Sequence, residues 1–428
     1  METLHPAGTA VTPEELEEIA EIVQDELPAY LEDLATLVNI DCGSYTKAGV
    51  DKVGSWTAGF MERLGGQVEI HAHATLGDTV VGTFRGRRGA PRALLIGHLD
   101  TVFPEGTAAQ RPLRIDAGIA RGPGVTDMKS GLLAGLYAIL ALVSLGEGED
   151  DPSAASTSSP ARAQRGELPF ERLVFVANPD EEIGSISSTP VIRELALASD
   201  VCFVLECARA NGDIVSARKG TVDLRLTVHG RAAHAGVEPE KGRNAILAAA
   251  HQVIALQALN GRWPGVTLNV GVVAGGTRPN VVAEETVLEV DLRATSAASL
   301  AEAEDAVRAI AATTAVPDTH VTIEETARHQ PMERLERSVR LIEHAQAIAS
   351  RLGFELADAS TGGASDANTT AGLGIPTLDG LGPIGGNDHS PSEYLEVDSI
   401  VPRTTLLAGL LLAVGRDPLV GSWRPHRA

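Results

Sequence analysis

The feature that most constrains the fold is the apolar run at residues 93–96, which is followed after one glycine by His98 and then by Asp100. A strand that is apolar on both faces is typical of a parallel sheet covered by helices. Similar runs recur at residues 172–177 and 200–205, and helical periodicity lies between the run at 93–96 and the run at 172–177. This order predicts an α/β fold.

Hydrophobic periodicity also predicts further elements of this fold. One helix begins at Pro13, where Thr12 and Glu15 form a capping pattern. Further helices are expected at about residues 49–64, 129–145, 335–352 and 400–414, and strands at 67–71 and 79–84.

The pattern changes near residue 216, where a strict alternation of apolar and polar residues begins at 221–228. The order from there to residue 328 is β-α-β-β-α-β, which is typical of a small ferredoxin-like module with one solvated sheet face. We interpret residues 216–328 as an inserted domain. The outer domain is then discontinuous and consists of residues 1–215 and 329–428.

Residues 147–168 are rich in Ser, Ala, Pro and charge and contain few large apolar side chains. A strand pattern resumes at residue 172, so we predict a mobile surface loop within the outer domain.

The chain has 428 residues, enough for two domains, and its 35 basic and 57 acidic residues give a net charge of −22. Such a surface repels phosphate backbones and anionic lipid, which argues against nucleic acid and membrane as partners. No stretch reads as apolar for long enough to span a bilayer. Three scattered cysteines suggest buried, reduced thiols, and the first 13 residues lack the pattern of a secretory signal. We therefore expect a cytoplasmic protein.

Polar residues at the ends of buried strands or in glycine-rich turns are candidate metal ligands, with nitrogen and oxygen donors that suit Zn²⁺. They are His98, Asp127, Glu181 or Glu182, Glu206 and His389.

Each candidate also has a structural interpretation, which the sequence pattern alone leaves open. Asp127 could be a helix N-cap, and Glu181 with Glu182 could form a solvated acidic turn. Alternatively, one of these two glutamates binds a metal while the other, projecting from extended backbone, holds a water. His98 with Asp100 could be a polar loop pair.

In combination, these motifs resemble the co-catalytic zinc exopeptidase and aminoacylase family, and within it the bacterial glutamate carboxypeptidases. The resemblance covers nearly the whole chain in the family's order. The matching runs are residues 97–102, 122–131, 180–184, 206, 217–220, 234–244, 276–280, 291–293, 361–368 and 388–390.

The resemblance implies a mixed-sheet α/β/α catalytic domain with an inserted α+β dimerisation (lid) domain. It also implies two Zn²⁺ per chain, with Co²⁺ or Mn²⁺ as substitutes. Asp127 would bridge the metals, with Glu182 and His389 on one and His98 and Glu206 on the other. Glu181 would be the general acid/base, and Asp100 would orient His98.

By the same resemblance, His234 would reach across a homodimer to polarise the scissile carbonyl. Residues that would bind the substrate carboxylate or lie near it are Lys219, Asn280, Arg293, Gly362 and Gly363. The structural alternative for Arg293 is a surface residue at the end of a strand that pairs with a neighbouring side chain.

The expected function is hydrolysis of an amide bond next to a free carboxylate, in a small peptide or an N-acyl amino acid. The alternatives are an N-acyl amino-acid deacylase or other amidohydrolase of the family, an aminopeptidase or dipeptidase, and a non-catalytic binding protein on the same fold. An intact Glu181 argues against the last of these.

Overall fold

The computed structural model describes residues 10–145, 168–313 and 315–423. The chain forms two compact units. The first unit comprises Met1–Ser216, Arg334–Ala359 and Ser365–Ala428, and the second comprises Ala217–Glu333 and Ser360–Ala364. The second unit therefore contains residues 329–333 and 360–364 in addition to the segment expected from the sequence. The predicted loop at 147–168 lies outside the described residues except for Leu168, which is buried.

The helices of the described residues begin and end close to the predicted bounds where a prediction was made. They are α1 (Pro13–Asp25), α2 (Leu27–Val38), α3 (Lys47–Arg63), α4 (Thr107–Gln110), α5 (Ser130–Ser144), α6 (Thr189–Leu197), α7 (Ala245–Gln257), α8 (Ala297–Ala311), α9 (Glu336–Arg351), α10 (Asp366–Gly372), α11 (Ile400–Gly415) and α12 (Pro418–Gly421).

The strands follow the predicted order, with short additional ones in the first unit. They are β1 (Gln67–His71), β2 (Thr79–Arg85), β3 (Arg92–His98), β4 (Arg114–Asp116), β5 (Ile119–Arg121), β6 (Arg172–Asn178), β7 (Val201–Val204), β8 (Ile214–Arg218), β9 (Gly220–His229), β10 (Thr267–Gly275), β11 (Glu285–Ala294), β12 (His320–His329), β13 (Asp358–Thr361), β14 (Thr377–Leu378), β15 (Gly385–Gly386) and β16 (Tyr394–Glu396).

The first unit is built on a six-stranded mixed sheet in the order β1-β2-β6-β3-β7-β14. Strands β6, β3, β7 and β14 run parallel to one another. Strand β2 pairs antiparallel with both of its neighbours, β6 and β1. Ala93, Leu94, Leu95 and Ile96 of β3 are fully buried, which confirms the predicted core strand. Because the carboxyl ends of parallel strands meet at one edge, β3, β6 and β7 direct their following residues to the same place.

Helix α5 packs against β3, and α11 packs against α5. Close approach of α5 depends on Gly131, where an added Cβ would lie 1.9 Å from the Leu205 carbonyl oxygen that follows β7. This contact brings the start of α5 next to the carboxyl edge of the sheet.

The prediction that no segment is apolar enough to span a bilayer is wrong by length and composition. The helical stretches Val125–Ser144 and Val397–Gly415 both meet those criteria. Most of each stretch is buried within the protein, as expected of core helices, which satisfy the same test.

The second unit is a four-stranded antiparallel sheet in the order β10-β11-β9-β12, with α7 and α8 packed on it. Alternate residues of β9, namely Val222, Leu224, Leu226 and Val228, face the helices and are buried. The predicted ferredoxin-like module is confirmed.

Candidate metal centre

The carboxyl edge of the first unit's sheet brings together His98, Asp127 and Glu206. His98 ends β3, Glu206 follows β7, and Asp127 lies in the turn before α5. The His98 Nε2 atom is 3.0 Å from Asp127 Oδ1 and 3.8 Å from Glu206 Oε1. One donor atom from each residue lies within 4.8 Å of the others, so the three could hold one metal ion.

A second triad uses the other oxygen of the same aspartate. The His389 Nε2 atom lies 2.9 Å from Asp127 Oδ2 and 3.0 Å from Glu182 Oε2. These donors also lie within 4.8 Å of one another. Asp127 thus has one carboxylate oxygen in each triad, which is the geometry that a bridging ligand requires.

The backbone at Asp127 excludes the N-cap alternative. Helix α5 begins at Ser130, its N-cap residue is Lys129, and no side chain caps it. Asp127 has φ −114° and ψ 94° within an irregular segment that starts after Gly124, whose φ is +70°. Its side chain is turned to the two histidines instead of to the helix terminus.

The electrostatics of both triads fit cations. Burial disfavours the charged form of His98, but hydrogen bonds to Asp100 and Asp127 outweigh it and raise its pKa well above the usual range. Hydrogen bonds to Asp127 and Glu182 raise the pKa of His389 to about 11. The carboxylates therefore attract positive charge to both imidazoles, and a divalent metal supplies that charge when it displaces the protons.

An unsatisfied oxygen gives a second sign that the residues fit metals. Within the described part of the chain, the buried Oε1 atom of Glu182 has no hydrogen-bond partner. A buried carboxylate oxygen without a partner is costly in a folded protein. Coordination by a cation would satisfy it.

Glu181 and Glu182 lie in a single 3₁₀ turn, Glu181–Ile183, so the expectation of extended backbone is wrong. The turn still separates their environments. Desolvation raises the pKa of Glu181 well above its usual value, His98 opposes the rise, and the carboxylates of Glu206 and Asp366 add to it. A carboxyl group with a raised pKa is suited to accept and return a proton.

Asp100 is fully buried and links His98 to the Glu181–Glu182 turn. Its Oδ1 atom is 3.3 Å from His98 Nδ1 and accepts a hydrogen bond from the backbone N–H of Glu181 at 3.2 Å. Its Oδ2 atom accepts from the N–H of Glu182 at 3.2 Å and from the Ser44 hydroxyl at 2.6 Å. Ser44 was not predicted, because no periodic pattern relates it to a residue 56 positions away.

Glu393 is a second residue that the sequence analysis missed. It is fully buried, and its carboxylate accepts backbone hydrogen bonds from the segment that carries Asp127. The signal in the sequence was an acidic residue four positions after His389. It lies in a polar segment that has the composition of an ordinary surface turn.

In the second unit, Arg293 contacts one of the predicted glycines. Its Nη1 donates to the Gly362 carbonyl oxygen at 2.9 Å, and its Nε and Nη2 donate to the Asp291 carboxylate at 3.0–3.1 Å. Asp291 and Arg293 project from the same face of β11, so the surface-pairing interpretation holds in part. Within the described ranges, these contacts engage three of the five guanidinium N–H groups, which leaves one N–H on each terminal nitrogen for a ligand.

Lys219 and Gly363 belong to the same group. The backbone N–H of Lys219 donates to Thr361, next to Gly362, while its Nζ lies 3.4 Å from the Thr267 hydroxyl. The Gly363 carbonyl oxygen accepts from Arg218 at 3.1 Å.

His234 and Asn280 form another group in the second unit. The Asn280 carbonyl oxygen accepts from the N–H of Ala235, and His234 forms a β-bridge with Val281. Both side chains are exposed.

The site combines imidazole and carboxylate ligands at the carboxyl edge of an α/β sheet with a neighbouring carboxyl group whose pKa is raised. These are the groups that a metal-dependent hydrolase requires. That is the class to which the fold and the ligand chemistry assign this chain.

Comparison with known proteins identifies the family. Residues 216–319 match the peptidase dimerisation domain, and residues 94–151 match peptidase family M20/M25/M40. Carboxypeptidase G2 from Pseudomonas sp. (strain RS-16) is 27% identical over 418 residues, which is 96% of each chain. Acetylornithine deacetylase from Edwardsiella ictaluri (strain 93-146) is 27% identical over 339 residues, or 76% of this chain and 80% of the relative.

The crystal structure of aminopeptidase PepT from Bacillus cereus ATCC 10987 shares the fold, with a TM-score of 0.73 at 22% identity over 91% of this chain and 98% of that one. These matches support the M20 peptidase family with its dimerisation domain. The chain is a metallopeptidase or amidohydrolase, and the family is metal-dependent.

Proposed function

We propose that this chain is a di-zinc metallocarboxypeptidase of the glutamate carboxypeptidase kind, which cleaves an amide bond next to a free carboxylate. The observation that carries the proposal is the pair of triads sharing Asp127, with Glu181 beside them. The near full-length similarity to carboxypeptidase G2 supports the carboxypeptidase type.

His98 and Glu206 would hold one metal, Glu182 and His389 the other, and Asp127 both. When bound, the two cations supply an activated water and polarise the substrate carbonyl. Co²⁺ and Mn²⁺ accept the same nitrogen and oxygen ligands, so the type of metal is part of the proposal.

Glu181 would accept the proton of the attacking water and later donate it to the leaving amine. Its raised pKa supports this cycle, because a carboxylate with a raised pKa accepts a proton more readily, and the acid form then persists until the leaving amine takes the proton. Asp100 would hold the Glu181–Glu182 turn and His98 in register through the contacts described above.

The substrate carboxylate would bind at Arg293, through the two N–H groups that Asp291 and Gly362 do not engage. The Gly362 carbonyl oxygen accepts a hydrogen bond from this guanidinium. Lys219 is held next to the same glycines, because its backbone N–H donates to Thr361. The Asn280 side chain would contribute from a turn in which its backbone carbonyl oxygen accepts a hydrogen bond from the N–H of Ala235.

A homodimer through the second unit is also part of the proposal. Strand β10 is an edge strand, and exposed apolar side chains lie on it and on α7. Val272 is 51% exposed, Val273 55% and Ile254 69%, which is unusual for a surface without a partner. In a dimer, His234 would act on the substrate of the partner subunit.

Two alternatives rest on the same centre. Acetylornithine deacetylase is similar over most of the chain, which favours an N-acyl amino-acid deacylase as the second candidate. The likeness to aminopeptidase PepT concerns the fold, so an aminopeptidase ranks lower.

The deciding experiment is a hydrolysis panel of N-acyl amino acids, dipeptides, aryl-glutamate amides and their C-terminal amides, with the metal content measured on the same preparation. Two metal equivalents and a strong preference for aryl-glutamate acids are expected. Turnover confined to N-acetyl amino acids would select the deacylase. One equivalent under saturating Zn²⁺ would contradict the bridging role of Asp127.

The dimer is tested by sedimentation of the full chain and of Val273→Asp, which places a charge on the edge strand. The wild type should sediment as a dimer and the variant as a monomer with reduced activity. A fully active wild-type monomer would remove both the dimer and the role of His234.

A further inference from the structure

The buried carboxylate of Glu393 accepts three backbone hydrogen bonds from a single segment. Its Oε2 atom accepts from the N–H of Gly124 at 2.9 Å. Its Oε1 atom accepts from the N–H of Thr126 at 2.9 Å and from that of Asp127 at 3.1 Å. Glu393 is fully buried, so no solvent competes for these donors.

The three donors belong to the irregular segment that positions Asp127. Its backbone N–H groups are not paired by a regular helix, because α5 begins only at Ser130. Gly124 is in the left-handed region, and an added Cβ there would lie 2.5 Å from the Thr101 side chain. The conformation of this segment therefore depends on an acceptor outside it, and Glu393 supplies that acceptor.

The fold also ties Glu393 to the segment that carries His389. The N–H of Glu393 donates to the Ser390 carbonyl oxygen at 3.2 Å, directly after this histidine. The next residue, Tyr394, begins β16 and pairs with Arg121, just before the irregular segment. Glu393 thus contacts the backbone of the shared aspartate through its side chain, and the residue after the second triad's histidine through its own N–H.

We propose that Glu393 is a positioning residue of the metal centre, which fixes the Asp127 backbone so that each carboxylate oxygen meets a different histidine. The inference rests on the proposed two-metal function. The Asp127 carboxylate must contact two histidines at once, with Oδ1 3.0 Å from His98 Nε2 and Oδ2 2.9 Å from His389 Nε2. A rotation that improves one contact lengthens the other, so freedom at this backbone weakens binding of at least one cation.

Glu393→Gln tests the idea with little change in volume. The amide keeps one acceptor oxygen and presents an NH₂ group where the other oxygen accepted, so the N–H of Gly124, or those of Thr126 and Asp127, lose their partner. The control is Glu396→Gln, which removes the same charge three residues further on, at the end of β16, where the side chain is partly exposed.

Metal-free protein is titrated with Co²⁺ and with Zn²⁺ against a chelating dye, well below the melting temperature of each variant. Wild type and Glu396→Gln should bind two equivalents with equal affinity. Glu393→Gln should bind at least one of them about 10-fold or more weakly, as expected when the support of a ligand is lost. Hydrogen exchange of the Thr126 and Asp127 amides in the metal-free variant should be faster by a similar factor.

The outcomes separate this inference from the function on which it rests. A wild type that binds fewer than two equivalents contradicts the proposed function. A wild type with two sites and a folded Glu393→Gln of equal affinity overturns the role of Glu393 alone, even if its melting temperature falls. If Glu393→Gln does not fold, Glu393→Asp decides in the same titration. Its shorter side chain cannot reach all three amides, so wild-type affinity in that variant overturns the inference.

Discussion

Asp100→Asn tests how the metal centre is held together. Both oxygens of the Asp100 carboxylate act only as acceptors, from the N–H groups of Glu181 and Glu182, from the Ser44 hydroxyl and from His98. Asparagine presents one oxygen and one NH₂ group. In either orientation the NH₂ group faces a backbone N–H, so one donor of the Glu181–Glu182 turn loses its partner.

The size of the effect follows from burial, because Asp100 is 0% exposed. An unsatisfied buried donor costs about 1–3 kcal/mol, and about 1.4 kcal/mol corresponds to a factor of ten. The turn carries both Glu181 and Glu182. We therefore expect metal affinity to fall by about 10- to 100-fold, the range usual for residues that orient metal ligands, and kcat/KM to fall at least as far.

The measurement is competition for Zn²⁺ between the metal-free protein and a chelating dye, followed by kcat/KM at saturating metal. Ser44→Ala is the matched control, since it removes one hydroxyl donor from the same carboxylate and leaves Asp100 an acceptor. Its effect should stay below about 1.5 kcal/mol, or roughly tenfold. An Asp100→Asn variant within about threefold of wild type in both quantities would refute the positioning argument.

Three further predictions concern single sites. Glu181→Gln should lower kcat by at least about 100-fold with metal still bound, and Glu182→Gln should instead weaken metal binding; the reverse pattern would exchange the proposed base and ligand. Arg293→Ala should cost about tenfold or more in kcat/KM on an acid substrate and little on its C-terminal amide, and equal losses on both would remove the carboxylate preference. Asp417 is buried, and although burial opposes its ionisation, hydrogen bonds from the buried His344 and from Arg340 lower its pKa to about 2. Its stabilising contribution is therefore present above the unfolded pKa and is lost as the pH falls through about 2. Asp417→Asn should lower the free energy of unfolding by about 1–2 kcal/mol at pH 7 and by less at pH 3. Glu343→Gln, which removes the exposed partner of Arg340, should change it by under about 0.5 kcal/mol, and equal effects of the two variants would contradict this account.

Local sequence patterns determined most of the secondary structure. The apolar run at 93–96 is buried in β3, and the alternation at 221–228 faces the core of the second unit along β9. These patterns succeed because the period of burial along a helix or strand is set by its own geometry. Helices α2 and α6 and the short strands of the first unit were not predicted, and for the short strands a few residues carry too little periodic signal.

The candidate ligands were found because they lie at the ends of buried strands or in glycine-rich turns, and both features can be read locally. Arg293 carried a further local signal, because Asp291 and Arg293 are two positions apart on β11 and must face the same side. Their ion pair was therefore predictable from spacing alone.

By itself, the sequence determined which residues end the strands and which chemistry they offer. Only the tertiary structure decided that Asp127 divides its oxygens between His98 and His389, and that Glu393 holds the backbone between them. The physical reason is that these contacts join residues tens to hundreds of positions apart. Which carboxylate meets which imidazole depends on the packing of α5 against the sheet and on strand register, and neither leaves a mark in the local pattern around a single acidic residue.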